Sequence, residues 1–192
     1  MPKNEEQFKK MREDMRSKIL KMSSLYFAKY GFGDTKIGDL AKYMGIGQGT
    51  IYLYFKSKEE LFEAIRSRAE NTEEIERLKA LSKLPMPAKA KIDLISKEMA
   101  KKLKEDEEYC VKITILSQLL LEKKEAPYAN DLYKELAKII RQGQKEGSVV
   151  KGDALYLADL YWGTVYLYAL KRLFLEEFKM VTWETLSRLL EV

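Results

Sequence analysis

Apolar residues recur at intervals of three and four along most of this chain, and that spacing restricts the fold to packed helices. One run is Ile92, Ile95, Met99 and Leu103, which places four apolar side chains on one face of a helix. Only 10 of the 192 residues are glycine and 4 are proline, so helix-forming residues continue for long stretches. No strand of convincing length is visible. We therefore predict an all-α protein.

The composition excludes several kinds of catalytic and metal site. The chain has no histidine and a single cysteine, Cys110. A histidine-bearing triad, a histidine metal ligand, an internal disulfide and a multi-cysteine metal site are therefore impossible within these residues. The acidic residues lack the spacing of a calcium-binding loop. We expect a binding protein rather than an enzyme, with no metal and no cofactor, and we expect Cys110 to be a small buried residue.

Two segments bear on localisation. The first six residues lack the apolar core of a signal peptide. Residues 154–170 are mostly apolar, but Asp159 and Gly163 interrupt them, and a membrane-spanning helix needs about 20 apolar residues. We expect a cytoplasmic protein with no membrane partner.

A change in composition near residue 70 predicts two domains, one formed by residues 1–70 and the other by residues 71–192. The positive charge is unevenly distributed between them. Residues 1–72 contain 14 Lys and Arg against 10 Asp and Glu, whereas residues 73–192 contain 21 against 20. A basic excess near the N-terminus indicates a polyanionic partner.

The N-terminal domain opens with a predicted helix from about residue 4 to residue 30. Its apolar residues recur on one face, which we expect to pack in the core; they are Phe8, Met11, Met15, Ile19, Met22, Tyr26 and Phe27. The fourth helix of this domain is predicted to begin at Ser57, which forms a capping box with Glu60.

Between these two helices lie two short ones on either side of Gly45. The first is predicted from Thr35, as its N-cap, to residue 44, and the second covers residues 46–55. The sharp bend between them requires a positive φ, which glycine adopts without a steric clash. Two short helices joined by a tight turn, with further helices packed on them, form a helix-turn-helix.

The second short helix carries side chains suited to reading DNA. Gln48, Thr50, Tyr52 and Tyr54 are predicted to face outward. Glutamine pairs with adenine through two hydrogen bonds, and threonine contacts a thymine methyl group or a phosphate.

Gly47 and Gly49 make this helix intrinsically weak. Each glycine costs about 1 kcal/mol relative to alanine inside a helix. They also allow the main chain to approach DNA closely, so their presence favours a functional interpretation.

Residues 33–61 resemble the TetR-type (tetracycline-repressor-like) transcriptional regulators, and the likeness extends over about residues 15–65. The pattern is a threonine followed by a leucine–alanine pair, a glycine turn, and a spaced series of glycine, tyrosines, phenylalanine, lysine and leucine. In this chain these are Thr35, Leu40, Ala41, Gly45, Gly49, Tyr52, Tyr54, Phe55, Lys58 and Leu61.

The resemblance implies specific DNA contacts. Thr35 and Lys36 would contact phosphate, Tyr52 and Tyr54 would reach phosphate, sugar or base, and Lys58 would hold phosphate at the start of the fourth helix, where the helix dipole favours an anion. The long N-terminal extension mixes basic and acidic residues, so its contact with DNA stays open; its basic residues are Lys9, Lys10, Arg12 and Arg16.

The resemblance also implies a homodimer formed through the last two helices. Residues 153–178 are apolar almost all round, and such a helix must be covered on both sides. Together with residues 182–192 they are the predicted interface, where Gly163 would admit a close partner helix. A dimer places two reading helices about one DNA turn, ~34 Å, apart on a palindromic operator.

A pocket for an effector is implied among the helices of residues 88–178. Its candidate lining is Met99, Tyr109, Leu116, Leu120, Trp162 and Tyr166. Such a lining suits an organic effector of apolar or aromatic character.

The sequence therefore predicts a ligand-responsive transcriptional regulator, with repression as the family's usual mode. Two alternatives remain. One is a helical ligand-binding or scaffold module that no longer reads DNA. The other is an all-helical enzyme, against which the absence of histidine argues.

Overall fold

The computed structural model describes residues 3–69, 73–122 and 131–192. The described ranges are helical, and they contain one isolated bridge, between Val149 and Glu191, but no strand. The all-α prediction is confirmed. The helices are α1 (Lys3–Tyr30), α2 (Ile37–Met44), α3 (Gln48–Tyr52), α4 (Lys58–Ala69), α5 (Glu73–Lys83), α6 (Ala88–Glu105), α7 (Glu107–Glu122), α8 (Asp131–Glu146), α9 (Ala154–Phe174) and α10 (Trp183–Arg188).

The chain divides into two compact units, Met1–Glu70 and Asn71–Val192. The first contains α1 to α4 and the second α5 to α10. Among the residues that the structure describes, no helix combines the length and apolarity needed to cross a membrane.

Three phenylalanines form the aromatic core of the first unit. Phe32 and Phe62 are stacked with their ring centroids 4.3 Å apart, and Phe27 meets them edge-on at 5.6 and 5.7 Å. Phe27 lies on α1, Phe62 lies on α4, and Phe32 lies in the loop before α2. Aromatic pairs of this kind contribute about 0.5–1.5 kcal/mol each beyond their buried area. They fix the entry to α2 against the two longer helices.

The apolar face of α1 is buried only in its C-terminal half. Ile19 and Phe27 are fully buried, but Phe8 and Met11 are 68% and 63% exposed. The prediction that the whole stripe packs in the core is therefore wrong for its first part. Helix α1 has 28 residues, whereas α4, its longest partner in this unit, has 12, and at 1.5 Å per residue α4 is too short to cover it.

Two further helices differ from the sequence prediction. Helix α5 (Glu73–Lys83) was not predicted, because its run of acidic residues had the composition of a linker; Leu78 is its buried residue. Helix α3 covers residues 48–52 rather than 46–55. Ile46 belongs to the preceding turn, since its N–H donates to the carbonyl of Ala41 at 3.1 Å.

Helix α9 is the centre of the second unit, where it packs against α6, α7, α8 and α10. Asp153 caps it by accepting the N–H of Tyr156 at 2.8 Å. Cys110 on α7 is fully buried, as predicted, and burial raises the pKa of its thiol to about 11. The buried face of α9 consists of Ala154, Leu157, Ala158, Tyr161, Trp162, Val165, Ala169 and Leu173.

Candidate nucleic-acid interface and effector cavity

The turn between α2 and α3 has the predicted glycine geometry. Gly45 has a φ of +66°, and its N–H and that of Ile46 donate to the carbonyls of Lys42 and Ala41, both at 3.1 Å. This paired arrangement closes the end of a helix when a left-handed residue follows it. The predicted glycine turn is confirmed. The buried face of α2 consists of Ile37, Leu40, Ala41 and Met44.

Thr35 does not cap α2. The N-cap is Lys36, which makes no side-chain cap bond. The hydroxyl of Thr35 instead donates to the carbonyl of Gly31 at 2.6 Å, and the residue is 5% exposed. Its hydroxyl is therefore bonded within the protein, while the neighbouring side chain of Lys36 is exposed; contact of either residue with phosphate stays a prediction.

Helix α3 is anchored by two residues that are each 1% exposed, Ile51 within the helix and Phe55 just after it. The predicted reading residues lie away from that anchor, with different degrees of exposure. Gly47, Gln48, Gly49 and Tyr52 are exposed, whereas Thr50 and Tyr54 are half-buried.

Leu53 is a surface residue that the sequence interpretation missed. It follows the last residue of α3 and is 74% exposed, more than either neighbouring tyrosine. The sequence did contain a signal. Because Leu53 lies two positions after Ile51, the two side chains cannot share one face of a helix. Its methyl groups are suited to contact with thymine methyl groups in the major groove.

Lys58 is fixed within the protein. Its ammonium group donates to the carbonyls of Phe32 at 2.9 Å, Thr35 at 3.1 Å and Gly33 at 3.2 Å. It also lies 4.3 Å from the centroid of the Phe32 ring. An ammonium has three protons to donate, and all three are used. The side chain thus joins the loop before α2 to the start of α4, and the contact of Lys58 with phosphate stays a prediction.

Main-chain N–H groups at the start of α4 donate to side chains of the protein itself. Ser57 accepts the N–H of Glu60 at 3.1 Å, as predicted, while the carboxylate of Glu60 accepts the N–H of Lys56 at 2.7 Å rather than that of Ser57. Hydrogen bonds from its own N–H and from Ser57 lower the pKa of Glu59. Two carboxylates at this terminus oppose a phosphate there, whereas the side chain of Lys56 is exposed.

The basic residues of the N-terminal extension do not act as one group. The guanidinium of Arg16 lies 5.0 Å from the centroid of the Phe55 ring, so it packs over the anchor of α3. Lys9, Lys10 and Arg12 are exposed on the first half of α1, together with interleaved acidic residues. Their contact with DNA stays a prediction.

A cavity of about 60 Å³ lies in the second unit, among α5 to α9. Three of the predicted lining residues border it: Met99, Tyr109 and Trp162. The full lining is Glu74, Arg77, Leu78, Leu81, Ile95, Glu98, Met99, Tyr109, Leu132 and Trp162.

The other predicted lining residues have different positions. Leu116 and Tyr166 do not border this cavity, and the hydroxyl of Tyr166 donates instead to the carbonyl of Thr114 at 3.3 Å. The side chain of Leu120 lies outside the described residues. The contribution of α5 was missed because that helix was not predicted; the three-residue spacing of Leu78 and Leu81 was the available signal.

Residues 19–65 match the family model of bacterial regulatory proteins of the tetR family. A similar relative is the HTH-type transcriptional regulator YhgD of Bacillus subtilis, which is 40% identical over 52 residues. That alignment covers 27% of this chain and 27% of the relative. The sequence likeness is thus confined to the helix-turn-helix region, and this match spans about a quarter of the relative's length.

Solved structures extend the likeness to the whole fold. A TetR-like transcriptional regulator from Rhodococcus sp. RHA1 has a TM-score of 0.61 at 18% identity, covering 90% of this chain and 91% of that one. SmeT in complex with triclosan has a TM-score of 0.54 at 22% identity, covering 84% of this chain and 80% of that one. At these identities the likeness concerns the fold.

Proposed function

Because this chain is a TetR-type protein whose first unit carries the helix-turn-helix of that family, we propose that it is a ligand-responsive repressor of transcription. Two copies bind a palindromic operator, and a small organic effector releases them. The observation that carries this proposal is the geometry of α3. Its exposed polar face follows a left-handed glycine turn, and two fully buried residues anchor it from the opposite side.

In this proposal α3 enters the major groove. Gln48 reads a base edge, Tyr52 and Tyr54 contact backbone or base, and Leu53 contacts thymine methyl groups. The exposed lysines at positions 36 and 56 neutralise phosphates on either side. Lys58 and the hydroxyl of Thr35 are left out of the interface because both are bonded within the protein.

A seam of exposed residues on α9 supports dimerisation. Tyr156, Leu160, Leu167 and Phe174 are between 45% and 54% exposed, and Gly163 lies in the middle of them. Together with Leu170 their spacing alternates between four and three residues, as in the contact seam of paired helices. A Cβ atom on Gly163 would meet nothing within 4 Å, so the space above it is open to a partner helix.

The cavity in the second unit is the proposed effector site. Most of its lining residues are apolar or aromatic, and three are charged: Glu74, Arg77 and Glu98. A mostly apolar lining with a few polar groups is the usual composition of a small-molecule site. The SmeT structure, of similar fold, holds triclosan. In our proposal effector binding displaces α4 and changes the spacing of the two reading helices. A coupling of about 1–3 kcal/mol is sufficient to change operator occupancy.

The direct test is selection of duplexes from a random pool by the purified protein, followed by measurement of affinity for the selected operator. Gln48→Ala should reduce the discrimination between the operator and a single-base variant by about 1–3 kcal/mol. Its binding to unrelated duplexes should not change, because Gln48 reads a base and not the backbone.

Lys36→Ala is the matched control. It should weaken binding to all duplexes equally and reduce the slope of log affinity against log salt by about 1. A pool that yields no enriched sequence would contradict DNA reading and favour the scaffold alternative. Equal operator affinity with and without a saturating cavity ligand would contradict release by an effector.

A further inference from the structure

One residue at the border of the proposed effector cavity has a buried hydrogen-bond donor without an acceptor. Trp162 borders the cavity and is 8% exposed. Among the residues that the structure describes, no group accepts a hydrogen bond from its indole nitrogen, Nε1. A buried N–H left without an acceptor is unfavourable by about 1–3 kcal/mol, so this position calls for an acceptor atom.

A second donor borders the same cavity. The hydroxyl of Tyr109 donates to the thioether sulfur of Met99 at 3.2 Å, and a thioether is a weak acceptor. Burial raises the pKa of Tyr109 well above its ordinary value, so the phenol stays protonated and can donate. The ammonium of Lys102 lies 4.9 Å from the centroid of the Tyr109 ring.

The charged residues at the border are paired with one another. Lys102 lies 2.9 Å from both Glu74 and Glu98, and Arg77 lies 3.6 Å from Glu98. Although burial lowers the pKa of Lys102, its hydrogen bonds to the two carboxylates outweigh that effect and raise it. Both carboxylates are therefore already paired with cations, and a positively charged ligand has no free partner among these groups.

We infer that the cavity binds a small, mostly apolar molecule through a hydrogen-bond acceptor, a carbonyl or carboxylate oxygen, which Trp162 and Tyr109 hold. The inference rests on the proposed function only in treating this cavity as the effector site. Its volume of about 60 Å³ is well below the ~150 Å³ that accommodates benzene. The buried part of the ligand is thus a group of few heavy atoms, and any remainder extends past the exposed side chains of Arg77 and Glu98.

The indole N–H resonances provide a direct test, because the chain has two tryptophans, Trp162 and Trp183. Their peaks in a ¹⁵N-correlated spectrum are assigned with Trp162→Phe and Trp183→Phe. The full-length protein is then titrated with cyclopentanone, cyclopentanecarboxylate, cyclopentane and cyclopentylamine. These probes share one ring and differ in offering a neutral acceptor, an anionic acceptor, no polar group or a cation.

Cyclopentanone or the carboxylate should move the Trp162 peak downfield and leave the Trp183 peak in place, while cyclopentane and the amine should not move the Trp162 peak downfield. Trp162→Phe should weaken binding of the acceptor probe about 10-fold relative to cyclopentane, and Tyr109→Phe should weaken it less. The inference is overturned if neither acceptor probe moves the Trp162 peak, or if cyclopentane moves it equally. If Trp162→Phe does not fold, Trp183→Phe alone assigns both indole peaks, and the titration of the unmodified protein tests the inference.

Operator affinity measured with the same probes separates this inference from the proposed function. An acceptor probe that shifts the Trp162 peak without altering operator affinity contradicts the effector response alone. A ligand that releases the operator while the Trp162 peak stays in place contradicts the acceptor inference alone.

Discussion

At the scale of single residues, Lys58 shows how a charged side chain in a helix-turn-helix domain can stabilise the fold. Its ammonium joins three main-chain carbonyls that lie 23 to 26 residues earlier in the chain. These carbonyls belong to the loop before α2, where no helix supplies donors for them. Hydrogen bonds to charged groups contribute about 1.5–3 kcal/mol in favourable geometry.

Lys58→Met is expected to lower the free energy of unfolding of the protein by about 2 kcal/mol. Methionine has an unbranched side chain similar to that of lysine, but it lacks the ammonium group that makes the three hydrogen bonds. Urea denaturation of the purified variants measures this change. Lys56→Met is the matched control, since Lys56 is an exposed lysine two positions away; it should leave stability almost unchanged. Equal stability of the two variants would mean that the three carbonyl contacts contribute little.

The sequence could not predict this role of Lys58. Its partners are carbonyl groups, which every residue has, so no residue type identifies them. The resemblance to the TetR-type regulators, and the position of Lys58 at the start of a helix, suggested a phosphate contact instead. By contrast, the role of Gly45 could be predicted, because a positive φ at a sharp turn depends on residue type.

At the scale of the element, α3 combines weak helix propensity with firm anchoring. It has five residues, and Gly47 and Gly49 lie at its N-cap and in its first turn. A Cβ atom on Gly49 would meet nothing within 4 Å. The protein itself therefore has room for a larger residue at this position, and the glycine needs another explanation.

Gly49→Ala should raise the stability of the protein by up to about 1 kcal/mol, because alanine is the better helix former. It should also weaken operator binding, because the added methyl group lies on the exposed face of α3. Thermal unfolding and operator titration of the same preparation measure the two effects. A variant that is more stable and binds the operator with unchanged affinity would show that close approach of the main chain is not required.

Helices with a regular apolar stripe could be predicted from the sequence, whereas short or charged helices could not. The spacing of Ile92, Ile95, Met99 and Leu103 predicted a helix, and all four residues lie on the buried face of α6. Helix α5 was missed because Glu73, Glu74 and Glu76 gave its sequence the composition of a linker, and with it four of the ten residues that border the cavity were missed. The cavity depends on how several helices pack, which residue spacing alone does not determine.

At the scale of the whole molecule, the seam on α9 is a row of large apolar side chains that stays about half exposed in a single copy. A helix that is apolar on opposite faces needs cover on both. The second unit covers one face, and a second copy covers the other in our proposal.

Gly163→Leu should convert the proposed dimer to a monomer without unfolding it, because the space above Gly163 is open within one copy but filled by the partner helix in a dimer. Sedimentation velocity measures the oligomeric state, and circular dichroism checks the fold. Gly163→Ala is the control, since a single methyl group should be tolerated. A dimer that survives Gly163→Leu would place the interface elsewhere.

The bonds of Lys58 also have a mechanical consequence. Phe32 and Gly33 can move away from the first turn of α4 only if their hydrogen bonds to Lys58 break or its side chain changes conformation, so we expect the loop and the start of α4 to move together. A small rotation of α4 would then also move the start of α2. In the proposed function, such a domain releases its operator by tilting as a rigid body, with its helices intact.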